Sequence, residues 1–131
     1  MRILIIEDAD SIRHMIEALL TARGHAVVAV SNGVRGVDSA LAAPPDAILL
    51  DLHLPGALDG FGVCRKMREQ STTRDVPIVI ISAMTDEASK RRAVEAGATA
   101  YYTKPFSPTA LLKEIESIPD RKSQRPKPAG A

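Results

Sequence analysis

The chain has almost nothing with which to stack on a nucleobase. Tryptophan is absent, and two Tyr and two Phe are the only aromatics in 131 residues, too few for the platforms on which single-stranded nucleic acids lie. Net charge is +1, so the basic footprint of a DNA or RNA binder is missing as well. One cysteine, Cys64, excludes an internal disulfide and a multi-cysteine metal site, and it fits a reducing compartment. The longest apolar runs are strand-sized, and the N-terminus lacks the basic-then-apolar order of a signal peptide. Neither nucleic acid nor a membrane is therefore an expected partner, and a cytoplasmic location is expected. What is present is ordinary for one globular domain: 45% apolar and 25% charged residues, in a length that buries a core without disulfides or a structural metal.

Short apolar runs alternate with helix-spaced segments. Ile3 to Ile6 reads as a strand covered on both faces, ending on Glu7 and Asp8. Ile12, Met15, Ile16, Leu19 and Leu20 follow as the apolar face of a helix, with Asp10 or Ser11 as its N-cap and Gly24 at its end. Ala26 to Val30 is a second strand. Ser31 and Asn32 open a shorter helix to about Leu41, and Pro44-Pro45 breaks the chain before a third strand, AILL, that runs into Asp51. Past a Pro- and Gly-rich loop, Asp59 caps a third helix with Phe61, Cys64 and Met67 inward and Arg65, Lys66 and Arg68 outward. Cys64 is expected to be a small core residue.

A polar loop, Gln70 to Asp75, leads to a fourth strand that starts at Pro77 and ends on Ser82 and Ala83. Thr85, Asp86 and Glu87 begin a fourth helix that Gly97 stops, and its exposed Lys90, Arg91, Arg92 and Glu95 give it a polar face. A fifth strand near Ala100 to Thr103 reaches Lys104-Pro105, and Ser107 with Pro108 launches the last helix. Five strands alternating with five helices at the spacing of βαβ repeats predict a doubly wound α/β fold: a parallel sheet with helices on both faces. The domain spans residues 1–118, and 119–131 is a basic, Pro-rich tail or linker.

In a parallel sheet all strand C-termini share one edge. Glu7, Asp8, Asp51, Ser82 and Lys104 therefore converge, and such close carboxylates need a neutralising cation. A hard divalent ion held by oxygen suits them, Mg²⁺ best because it keeps waters and recruits phosphate oxygens. Lys104 adds positive charge and Ser82 a hydroxyl donor, which equips Asp51 to accept a phosphoryl group. His14, His25 and His53 show no metal-ligand spacing.

The acidic pair Glu7-Asp8, Asp51 ending the third strand, Ser82-Ala83 ending the fourth and Lys104-Pro105-Phe106 after the fifth stand in an order and spacing that resemble the receiver domain of response regulators in two-component signalling. The likeness runs from about Arg2 to Ile118. It implies a (βα)5 flavodoxin-like sheet in strand order 2-1-3-4-5 and a chemotaxis-regulator-like signalling module, not an enzyme. By the same resemblance, Asp51 is the phosphoacceptor. Glu7, Asp8, Asp51 and the backbone carbonyl of His53 hold Mg²⁺, Ser82 is the switch hydroxyl, Lys104 the site lysine, Tyr101 the switch aromatic, and Lys104-Pro105 a cis peptide. A histidine kinase or histidine phosphotransfer protein is the implied donor and a downstream protein the implied target.

Two departures from the family pattern are visible. One additional residue stands between Pro55 and Asp59-Gly60, and Leu54 takes a place where Met is frequent. His53 and Met84 occupy positions that in this family influence how fast the acyl phosphate hydrolyses. Taken as complete, the chain reads as a stand-alone receiver; taken as a piece, its tail is a linker to an output domain. Two other readings fit the same residues. ILIIEDADS also resembles the start of haloacid-dehalogenase-type phosphohydrolases, with Asp8 as nucleophile and Asp10 as acid/base, and a receiver-fold adaptor would signal without phosphorylation.

Overall fold

The computed structural model describes residues 1–119, so the tail expected at 119–131 lies, from residue 120 on, outside the described residues. Chain order is β1 (Arg2–Ile6), α1 (Asp10–Ala22), β2 (Ala26–Val30), α2 (Gly33–Ala42), β3 (Ala47–Leu50), α3 (Gly60–Glu69), β4 (Ile78–Ser82), α4 (Glu87–Ala96), β5 (Ala100–Thr103) and α5 (Pro108–Glu116). All strand pairs are parallel, and the sheet order is β2-β1-β3-β4-β5. The Lys104–Pro105 peptide is cis.

The three central strands are buried on both faces because every residue in their middles is apolar, and the two-residue period of a strand sorts them between two cores. Leu4 and Ile6, Ile48 and Leu50, Ile78 and Ile80 point to one side, where they meet Val63, Cys64 and Met67 of α3 and Ala93 of α4. Ile3 and Ile5, Leu49, Val79 and Ile81 point to the other, against Ile16 and Leu20 of α1 and Leu111 and Ile115 of α5. Cys64 is fully buried, and desolvation pushes its thiol up to about 11, which makes it an inert core residue.

Four of the five helices start on a side-chain cap. Asn32, Asp59, Asp86 and Ser107 accept the N–H groups of Arg35, Gly62, Ser89 and Ala110, each satisfying a donor that the first turn leaves open. Helix α1 departs from expectation. Its N-cap is Ala9, with no side-chain bond, and Asp10 already lies in the helix, because the Asp10 carboxylate is paired at 2.5 Å with Arg13 Nη2 one turn on. Met15, expected inward, is 43% exposed; Ile16 and Leu20 carry the packing of that face.

Arg68 is a second correction. It does not point outward with Arg65 and Lys66, both of which are exposed. Its guanidinium is turned in, donating to the carbonyls of Arg74 (2.8 Å), Val76 (2.6 Å) and Gly97 (2.7 and 3.0 Å). The α3–β4 loop is thereby bound to the C-terminus of α4, and Thr73 completes it by donating its hydroxyl to Met67 O at 2.7 Å. Gly97 has φ +111°, and a Cβ there would lie 2.6 Å from Arg68 Cγ, so the glycine both ends α4 and makes room for the arginine stem. Arg68→Met keeps most of the stem and removes the donors. It is expected to lower unfolding free energy by about 2–3 kcal/mol, measured by urea titration; a loss under about 0.5 kcal/mol would mean that water serves these carbonyls equally well.

Candidate functional site

The sheet ladder runs past the ends of the strands and sets the site. Glu7 N–H donates to Val30 O at 3.0 Å, Asp51 N–H to Ile6 O at 3.0 Å, and Lys104 N–H to Ser82 O at 2.8 Å. These bonds fix the backbone of Glu7, Asp51 and Lys104 at the C-terminal edge. The flanking apolar strands then bury what projects there: Glu7 is 3% and Asp51 6% exposed, and Ser82 has no exposed surface.

Lys104 stands between the two carboxylates. Its Nζ lies 2.6 Å from Glu7 Oε1 and 3.2 Å from Asp51 Oδ2. The contact to Asp51 is a hydrogen bond and that to Glu7 a close ion pair, and the ammonium is the partner that Glu7 Oε1 has among the described residues. The other oxygens are held by backbone: Ala9 N–H donates to Glu7 Oε2 at 3.0 Å and His53 N–H to Asp51 Oδ1 at 3.1 Å. The His53 carbonyl accepts no hydrogen bond from the described residues. Burial raises the pKa of Glu7 and the nearby Asp51 charge adds to the rise, with Lys104 and the Ala9 N–H offsetting part of it. Burial also works against the Lys104 charge, but Glu7 and Asp51 outweigh it and the ammonium is held more tightly than usual.

Ser82 Oγ accepts Met84 N–H at 3.1 Å; among the described residues no hydrogen bond joins it to Asp51 or Lys104. Tyr101 is half-buried, and its hydroxyl donates to Met84 O at 2.8 Å, so the hydroxyl and the aromatic expected to act together hold the same residue from opposite ends of its backbone. Asp8, next to Glu7 in the chain, is exposed. Among the described residues no three His, Cys, Asp or Glu side chains lie close enough together to hold a metal ion as they stand. Arg13 went unnoticed in the sequence. Its side chain, only 14% exposed, donates Nη1 to the carbonyls of Glu7 at 3.0 Å and Asp8 at 3.2 Å. The i, i+3 spacing from Asp10 was the one available signal.

A family model described as the response regulator receiver domain matches residues 3–116. The chain belongs to the response-regulator receiver family. It is 40% identical over 116 residues to the transcriptional regulatory protein CseB of Streptomyces coelicolor, covering 88% of this chain and 48% of that one. It therefore spans about half that relative's length. The receiver domain of the sensor histidine kinase PA1611 from Pseudomonas aeruginosa PAO1, solved with magnesium in its active-site cleft, superimposes with TM-score 0.82 at 34% identity over 89% of this chain and 95% of that one. The chemotaxis protein CheY4 of Vibrio cholerae gives TM-score 0.84 at 30% identity, over 90% and 98%. The strand order expected from the resemblance is the observed one. No helix among the described residues is long and apolar enough to cross a membrane.

The donor set of this receiver fits a hard cation. Two buried carboxylates face one ammonium, so negative charge is in excess, and Glu7 Oε1 must share that ammonium with Asp51, which is the situation a divalent ion relieves. Because the folded state holds the Glu7 proton more tightly than the unfolded chain does, native stability falls as pH rises from the ordinary glutamate range through the raised pKa. With divalent ions chelated, Glu7→Gln is expected to raise the melting temperature by a few degrees at pH 7. That gain should fade as pH falls and Glu7 takes its proton. A melting temperature at pH 7 below that of the wild type would show that the Lys104 ion pair outweighs desolvation.

Proposed function

We propose that this receiver takes a phosphoryl group from a phosphohistidine onto one carboxylate oxygen of Asp51 and uses the change to alter a protein-binding surface. The observation that carries this reading is the Lys104 ammonium set between buried Glu7 and Asp51, 2.6 and 3.2 Å from their oxygens. In the transfer, a new O–P bond forms at Asp51 as the P–N bond breaks, and the donor imidazole leaves with the electron pair and takes a proton. Lys104, already aimed at Asp51, neutralises charge on the phosphoryl oxygens, and the His53 N–H keeps the carboxylate oriented. Mg²⁺, held by Glu7, Asp8, Asp51 and the His53 carbonyl, would supply the remaining positive charge for the phosphoryl oxygens.

The donor is a histidine kinase or histidine phosphotransfer protein, which places the reaction in the cytoplasm. The output follows from Met84. A phosphoryl group on Asp51 accepts the Ser82 O–H and turns that side chain toward itself, Oγ moves off the Met84 N–H that it accepted, and Tyr101, bound to the other side of Met84, is freed to move. The surface of α4, β5 and α5 then presents a different face to a downstream protein. The phosphohydrolase alternative gains nothing from the geometry, since Asp8 is exposed and Asp10 is engaged by Arg13.

Incubation with acetyl phosphate and Mg²⁺ is expected to add one phosphoryl group to the intact mass of the wild type and none to Asp51→Asn, and chelation should suppress the adduct. Equal labelling of the variant, or no labelling of the wild type by acetyl phosphate and a histidine phosphotransfer donor alike, would sink the assignment.

A further inference from the structure

The loop between β3 and α3, residues 51–59, begins on Asp51 and carries the additional residue between Pro55 and Asp59. Its outer arc, Pro55, Gly56 and Ala57, is exposed. Its closing end is gripped from two helices. At Gly33, the first residue of α2, a Cβ would lie 2.5 Å from the Leu58 carbonyl oxygen and 2.9 Å from Val63 Cγ2. At Gly62, in the first turn of α3, a Cβ would lie 2.6 Å from Leu58 Cδ1. The two glycines leave a notch, and Leu58 fills it with backbone against one and side chain against the other, its apolar body packed on the α2–α3–α4 core. The base of the loop is equally tight: Gly60 N–H donates to Leu52 O at 3.0 Å, and a Cβ at Gly60 would run into the Asp51 carbonyl.

We propose that Leu58 is a positioning residue for the acceptor carboxylate: seated between Gly33 and Gly62, it holds the loop closed so that the His53 backbone stays on Asp51. This rests on the reading of Asp51 as phosphoacceptor. Among the described residues only the His53 N–H orients Asp51 Oδ1; beyond His53 the chain is packed on the core at Leu54 and again at Leu58, and residues 55–57 between them are exposed. With Leu58 out of its notch, Leu54 is left as the last core contact beyond His53, the loop opens more often, the His53 N–H leaves the carboxylate more often, and water reaches the acyl phosphate sooner.

Gly62 supplies a sharp test. An alanine in a helix is normally better than glycine. Here its methyl displaces the far end of one flexible side chain, which dislodges Leu58 without deforming α3. The variants Leu58→Ala, Leu58→Met, Gly62→Ala and the double Leu58→Ala/Gly62→Ala are compared in two measurements. Amide hydrogen exchange is followed in the metal-free, unphosphorylated protein, and loss of the phosphoryl group is followed by intact mass after removal of the donor.

Leu58→Ala and Gly62→Ala are each expected to speed exchange at the His53 amide about tenfold while the amides of β3 and β4 keep their protection. Phosphoryl loss should quicken at least about threefold, and Leu58→Met should stay near the wild type. In the double variant the Gly62 methyl occupies vacated space, so Gly62→Ala adds nothing to Leu58→Ala and raises the melting temperature in that background while lowering it in the wild type. Wild-type exchange at His53 in Leu58→Ala, additive effects in the double variant, unchanged phosphoryl loss, or loss of protection across the whole sheet would each overturn the proposal, the last by showing that Leu58 serves only the core. If the wild type takes no phosphoryl group, the reading of Asp51 fails separately, and the exchange and melting comparisons still decide whether Leu58 holds His53 on that carboxylate.

Discussion

Placing two carboxylates side by side out of water is unfavourable in any fold, and here the backbone imposes it. Ladder hydrogen bonds that continue past β1 and β3 fix Glu7 and Asp51 at neighbouring strand ends, and the apolar strands leave both side chains with little exposure to solvent. Everything chemically useful follows from answering that charge. Lys104 answers it in part by reaching both carboxylates from β5, two strands away from Asp51, and the remainder is an unmet demand for a cation. A site that were comfortable on its own would have less to offer a phosphoryl group and its counter-ion.

The loops divide the labour of holding this edge together. Arg13 grips the carbonyls of Glu7 and Asp8, so a positive side chain steadies the acidic turn through its backbone and takes up neither carboxylate. The N–H and carbonyl of Met84 are claimed by Ser82 and Tyr101. After Asp51 the chain is tied by backbone and packing, where glycines decide what fits. Each of the three strand-end turns is thus held by a different kind of interaction: charge, hydrogen bonding to one residue, and shape.

Much of this was legible in the residues because it is local. Strand-length apolar runs, the cap residues Asn32, Asp59, Asp86 and Ser107, and the stops at Gly24 and Gly97 act over one turn, and their effect does not depend on what packs nearby. Convergence of Glu7, Asp51, Ser82 and Lys104 was readable too, since a parallel sheet puts all strand ends together whatever the details. What escaped were interactions decided at long range. Arg68 looks like any outward arginine on a helix until the carbonyl of Gly97 arrives from 29 residues further on. Asp10 looks like a cap until Arg13 takes its carboxylate. Asp8 is an acid like its buried neighbour Glu7, yet past the end of β1 one carboxylate is covered and the next is left outside. The notch for Leu58 is made of missing side chains, and a glycine in a sequence does not say what its bareness is for.

The sorting of β1, β3 and β4 into two faces has a further consequence. No side chain in the middle of the sheet belongs to both cores, so the α1–α5 side and the α2–α3–α4 side are insulated from each other by a layer of hydrogen-bonded backbone. The faces meet through side chains at the rim, where Lys104, arriving on β5, touches the carboxylates of β1 and β3. A change of charge at that rim therefore acts at the border that the two cores share. The molecule is in this sense a two-sided plate with its charges gathered along one border.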